Sequence, residues 1–424
     1  MTDDVALTGI RVLAALLAAA VLVALVTERI RVPYSVGLVL LGLAVGIVRP
    51  GVGLSITPAL VLAVLLPGLI FEAAFRLDLE ALRPSLLSVL FLAVPGVLVV
   101  ALVVGLVLQA ATGLAFSSAF LVGAMVAATD PAAVIATFKR LNAPDRLAAA
   151  VETESLFNDG TGIVVFTIAL AATTGPSSLA DGVVRFVLVV AGSVVLGALA
   201  GWVATRLLGL TQEHLVELTI SLVLAYGAYL VADAFGGSGI IATTAAGITL
   251  GSLGRHEGLS RRAAEAIDEV WEFIAFVLTA LIFLLIGLAI DVQVLLANLV
   301  PIAWTVLAIL LARALVVYVL LGGAVRIAAR GGTPLLSLGW LHVMFWAGLR
   351  GAVSVALVLS LPEDLPNRPL IAAIVFGVVL FTLLVQGSSA DVVVARALGR
   401  VNGGGRAPAD RPSPPTADVP HDEG

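Results

Sequence analysis

Residues 127–166 read AATDPAAVIATFKRLNAPDRLAAAVETESLFNDGTGIVVF. Two apolar helical runs lie here, and each carries carboxylates. Asp130 stands directly before Pro131 in the middle of the first run, and Glu154, Asn158 and Asp159 stand inside the second, with Gly160 next. A carboxylate at bilayer depth costs at least about 2.5 kcal/mol on insertion scales. A polar cluster this dense is not a lipid-facing accident. It implies a buried site for a cation and a proton, which the rest of the chain must house.

The rest of the chain supplies a membrane for it. Of 424 residues, 60% are hydrophobic and only 12% charged, with a mean hydropathy of +1.14. Soluble domains carry about 25% charged residues. Long apolar runs without strand alternation point to helices, not to a barrel. There is no cysteine, which removes thiol nucleophiles and iron–sulfur ligands. The opening MTDD lacks the basic region of a cleaved signal, so the first helix is expected to be retained.

Charge clusters, Pro/Gly breaks and polar links divide the chain into thirteen expected spans: 6–27, 33–48, 55–75, 85–109, 114–137, 148–173, 182–208, 214–235, 238–253, 268–290, 294–324, 336–360 and 368–392. Spans 2 and 9 are short for a crossing of about 20 residues. Basic residues test the division. Links after odd spans hold Arg29, Arg31, Arg76, Arg83, Lys139, Arg140, Arg146, Arg255, Arg261, Arg262, Arg326 and Arg330, with Arg206 at the end of span 7, whereas links after even spans hold only Arg49, with Arg368 at the start of span 13. The positive-inside rule then places odd links and the C-terminus in the cytoplasm and the N-terminus outside. Residues 401–424, rich in Gly, Pro and charge, are expected to form a disordered tail. No GxxxxGK[ST] occurs, which argues against a pump driven by ATP, and no nucleotide, nucleic-acid partner or cofactor is expected.

Pro131 should open span 5, because proline removes a backbone donor and clashes with the preceding turn. Span 12 has a second weak point, Gly348 and Gly351 flanking Arg350. Opened half-helices expose backbone groups able to hold ions at depth. The two spans run in opposite directions, as an inverted repeat requires. On a helical wheel Ser155 and Asp159 share one face, able to look at Thr129 and Asp130, while Glu154 and Asn158 share the adjoining face. These are hard oxygen ligands, suited to a small hard cation. Glu154 could turn to Arg350. Arg313 is also deep, and like Arg350 needs an internal partner or a water-filled path, whereas Arg11 and Arg185 can snorkel from span ends. Glu72 in span 3 belongs to an entrance funnel or to a solvated face. His342 is a packed histidine or a pH sensor.

Segments 66–83, 128–134 (ATDPAAV), 154–166 (ESLFNDGTGIVVF), 236–242, 271–290, 349–362 (LRGAVSVALVLSLP) and 381–387, in this order, resemble the monovalent cation/proton antiporter family of sodium/proton exchanger type, in its prokaryotic form. The resemblance implies an all-α membrane protein of about thirteen helices with inverted repeats and two interrupted crossing helices. It implies a homodimer with a membrane domain over 1–400: a moving core bundle, about 85–173 and 294–392, against a dimerisation part, about 6–75 and 182–290. Asp159 would bind either the cation or the proton. Thr129, Asp130, Ser155 and Asn158 would complete the ion- and proton-binding site, with Asn158 also marking electroneutral exchange, and Glu154 with Arg350 would form a structural ion pair. Thr279-Ala280 stands where many relatives have Asn-Ser, so Thr279 would supply any polar contribution there. The implied activity is exchange of Na+ for H+ at the cell membrane, with K+/H+ exchange as the alternative. A channel or a proton-coupled solute symporter are the competing classes, and no enzyme activity is expected.

Overall fold

A computed structural model describes residues 2–30, 32–48, 57, 59–77, 86–174, 178–211, 213–255, 259, 261–323 and 338–399. The expected tail, and the links holding Arg49, Arg83, Arg326 and Arg330, lie outside the described residues. Every described element is helical.

The helices follow the expected spans. Helix α1 covers Thr2–Ile30 and α2 Tyr34–Val48. A π-helical turn, Leu60–Leu65, leads into α3, Leu66–Arg76, with Pro67 in the first turn where its missing N–H costs nothing. Span 4 is α4, Leu86–Ala93, and α5, Pro95–Thr112, separated at Val94 before Pro95. Span 5 is two pieces, α6 (Phe116–Met125) and α7 (Ala132–Leu141). Then come α8 (Asp145–Thr174), α9 (Leu179–Leu208), α10 (His214–Ala234), α11 (Gly239–Thr249) and α12 (Arg261–Ala289). Span 11 comprises α13 (Val292–Ala297) and α14 (Leu299–Ala314), which continues through a π-helical stretch, Leu315–Leu321. Span 12 is again two pieces, α15 (Leu338–Trp346) and α16 (Ala352–Leu359). Span 13 is α17 (Arg368–Phe381), a π-helical turn Thr382–Gly387, and α18 (Ser388–Ala397).

Seven helical stretches among the described residues are long and apolar enough to cross a membrane, corresponding to spans 4, 6, 7, 8, 10, 11 and 13. Spans 2 and 9 are shorter apolar helices, and spans 5 and 12 are interrupted. Packing is close where glycine permits it. A Cβ on Gly42 of α2 would fall 2.3 Å from the Leu284 carbonyl oxygen of α12, so these helices meet backbone to backbone.

The two interruptions meet. Residues 126–131 leave the helix after α6, and 347–351 leave it after α15. The Asp130 amide donates to the Leu349 carbonyl oxygen at 2.8 Å. The Arg350 amide donates to Thr382 Oγ1 at 3.0 Å, tying the second break to span 13. Backbone donors freed by unwinding thus find partners inside the protein, as apolar surroundings demand.

Candidate functional site

Helix α8 is continuous through the polar cluster, and its faces separate the cluster into three jobs. Residues 152, 155 and 159 form one stripe at helical spacing. Glu152, Ser155 and Asp159 line a cavity of about 300 Å3 together with Thr129, Asp130, Thr279 and the unwound Gly351. Glu72, Arg76 and Lys139 also line it. Lys139 and Glu152 are exposed, so these charges form its mouth. The Asp159 carboxylate makes no hydrogen bond among the described residues, and it lies close enough to Asp130 for the two carboxylates to repel. Such a pair of carboxylates favours bound cation or proton over two free charges.

Asn158 points elsewhere. Its Oδ1 accepts the Thr129 amide at 3.0 Å and its Nδ2 donates to Thr129 Oγ1 at 2.6 Å. Thr129 and Ser155 share a hydroxyl hydrogen bond of 2.9 Å. One asparagine therefore holds both the amide and the hydroxyl of Thr129 after the helix opens. Asn158, expected among the ion-binding residues, is thereby placed at the break and outside the cavity lining, because its amide is taken up by Thr129.

The helix ends carry complementary charge. Asp130 Oδ1 accepts the Ala132 amide at 3.0 Å at the start of α7, and its carboxylate packs against Gly351, where α16 begins. A Cβ there would lie 2.1 Å from Asp130 Oδ2. Two positive helix N-termini thus converge on one carboxylate. At the negative C-terminal end of α15, Arg313 Nη2 donates to the Met344 carbonyl at 2.8 Å and Arg350 Nη1 to the Gly348 carbonyl at 2.6 Å.

The expected Glu154–Arg350 pair is corrected by this geometry. Glu154 pairs with Arg313 through both oxygens: Arg313 Nη1 donates to Oε1, and Nη2 to Oε2 at 2.9 Å. The wheel fixed the face of Glu154 but not which distant arginine would reach it, and α14 delivers Arg313 there first. Arg350, fully buried, lies within electrostatic range of both Arg313 and Glu154. Its Nε and Nη2 have no partner among the described residues. Glu72 lines the cavity, 3.0 Å from Arg76. His342 is exposed, shares a 2.7 Å hydrogen bond with the Tyr318 hydroxyl and does not line the cavity.

Sequence reasoning passed over Glu152 and Ser354, which also line the cavity. The spacing of Glu152, three before Ser155 and seven before Asp159, was a legible signal for the first.

Residues 14–396 match the profile of the transmembrane sodium/hydrogen exchanger family. The chain belongs to that family. Among its relatives, the Na+/H+ antiporter ApNhaP of Aphanothece halophytica is 38% identical over 347 residues, covering 81% of this chain and 66% of that protein. The low-affinity Na+/H+ antiporter NhaS1 of Synechocystis is 36% identical over 343 residues, covering 80% and 65%. The Na+/H+ antiporter NhaP of Pseudomonas aeruginosa is 34% identical over 360 residues, covering 78% and 79%. The chain therefore spans just under two thirds of the length of the first two. Structures of the sodium proton antiporter MjNhaP1 from Methanocaldococcus jannaschii share the fold. At pH 8 the TM-score is 0.72 with 22% identity, covering 92% of this chain and 98% of that one. An electron-microscopy map gives 0.74 with 23% identity, covering 94% and 99%. This sodium/hydrogen exchanger family member is an all-helical, multi-pass membrane protein of a transporter family, and it has the antiporter fold with two interrupted helices.

Proposed function

We propose that this exchanger family member carries Na+ one way across the cell membrane and H+ the other, both competing for Asp159. The observation that carries the reading is the shared cavity. Asp159 and Asp130 face the space that Thr129 and Ser155 line, and charged residues stand at its mouth. Cation binding requires the ionised carboxylate and protonation removes it, so one group couples the two fluxes. One charge each way makes the exchange electroneutral, since Asn158 adds no proton. Carboxylate and hydroxyl oxygens fit a hard monovalent cation. The Na+/H+ antiporters among its relatives support the choice of sodium.

The distribution of basic links supports a cytoplasmic C-terminus, an outside N-terminus and a cavity open to the cytoplasm. The core bundle of spans 4–6 and 11–13 would move against spans 1–3 and 7–10, and two copies would associate through the latter.

Proteoliposomes holding an imposed pH gradient test the reading. Added Na+ is expected to dissipate the gradient saturably, K+ less effectively, with no response to membrane voltage and none in Asp159→Ala. An ohmic, voltage-driven current, or full activity of Asp159→Ala, defeats it.

A further inference from the structure

Ser354 is the only polar side chain of α16. It is fully buried, and its Oγ has no hydrogen-bond partner among the described residues. A helical serine or threonine ordinarily returns its hydroxyl to the carbonyl four residues back. Thr137, Thr153 and Thr161 do so, to Ala133, Ala149 and Phe157. Ser354 cannot use an ordinary helical turn in this way, because residue 350 lies in the unwound segment before α16. Ser35 and Ser252 also lack partners, but neither lines the cavity that holds Asp159. Ser354 does. It stands one helical turn beyond Gly351, whose backbone presses on the Asp130 carboxylate.

We infer that Ser354 supplies a hydroxyl oxygen to the transported monovalent cation, from the wall of the cavity that α16 forms. The inference rests on the Na+/H+ reading above and adds a ligand to it. A neutral hydroxyl leaves the charge count of the exchange untouched. It also explains why a buried polar group is left without a protein partner: its partner is the cargo. The cation would then be held between span 6, span 5 and the second interrupted helix, all on the same expected moving bundle. It could cross with its oxygen shell intact.

The experiment compares wild type, Ser354→Ala and Ser354→Thr in two assays. Proteoliposome exchange separates the Na+ KM from the maximal rate, and thermal unfolding in detergent is followed in NaCl against choline chloride at one ionic strength. Ser354→Ala is expected to raise the Na+ KM about five- to tenfold, keep most of the maximal rate, and lose part of the Na+-dependent rise in Tm. In choline its Tm should match or exceed that of wild type, because an unsatisfied hydroxyl has been removed from the interior. Ser354→Thr should restore the KM. An unchanged KM in an active wild-type background overturns the inference alone. So does a Tm loss in choline that accounts for the defect, the mark of a structural hydroxyl. A wild type that neither exchanges nor responds thermally to Na+ overturns the inference together with the reading beneath it.

Discussion

The Asp130 amide donates to the Leu349 carbonyl at 2.8 Å, joining the two interrupted helices at their open ends. The residue whose carboxylate faces the cavity is thus fastened by its backbone to the other break. Movement of either break moves Asp130, so geometry at the Leu349–Gly351 segment controls the site.

Gly351→Ala tests this control. The new methyl would land 2.1 Å from Asp130 Oδ2, and overpacking of this kind costs about 1–3 kcal/mol. Displacement of a site group by about 1 Å can reduce rates a hundredfold. Na+-driven proton release in proteoliposomes should fall about tenfold or more on that account. Gly227→Ala, where nothing lies within 4 Å of the added Cβ, should leave the rate unchanged. Equal activity of both variants would contradict the contact.

Asn158 and Thr129 should act as one unit. Asn158→Ala removes both bonds to Thr129, and Thr129→Ala removes the side-chain half. Each is expected to raise the Na+ KM, and the double variant should be little worse than the poorer single one. A coupling of about 1 kcal/mol is the scale for residues in one hydrogen-bond network. Strict additivity in the KM values would show that Asn158 works independently of the break.

The limits of what could be read beforehand follow from range. Thr129-Asp130-Pro131 announced its break because proline forbids the helix locally, and the stripe of Ser155 and Asp159 needed only the helical repeat. Spans emerged from hydropathy and the links from charge, so the thirteen-span order survives wherever residues are described. Glu154 shows where local rules stop: the wheel gave its face, but Arg313 and Arg350 reach that region on distant helices. Arg350 turns its guanidinium back to Gly348, a choice visible only once α15 has ended. Ser354 was hidden for a related reason, since a lone hydroxyl in an apolar helix ordinarily satisfies itself on its own backbone.

The Glu154–Arg313 pairing has a stability consequence. Both groups are buried, and removing one partner of a buried pair costs about 3–5 kcal/mol. Arg313→Met should lower the Tm of the detergent-purified protein sharply, and Glu154→Gln introduced with it should recover much of the loss. Arg350→Met should show weaker coupling to Glu154→Gln in the same double-mutant cycle. Stronger coupling through Arg350 would reverse the assignment made from the geometry.

Competition at one carboxylate fixes the pH dependence of cation affinity. Na+ binds ionised Asp159 and a proton occupies the same group, so protons act as competitive inhibitors of cation binding. On the acidic side of the site's titration the apparent Na+ KM should fall about tenfold for each unit rise in pH, and on the alkaline side it should level off. The sign follows from mass action: raising pH on the cation side alone removes the competitor, so KM falls while the maximal rate stays constant, the proton supply on the opposite side being fixed. Initial exchange rates at several external Na+ concentrations, taken across external pH at one internal pH in proteoliposomes, measure both quantities. A maximal rate that changes with pH at constant KM would mean that a group other than Asp159 gates the cycle. Glu72 and Glu152 at the cavity mouth would then be the first to replace with glutamine.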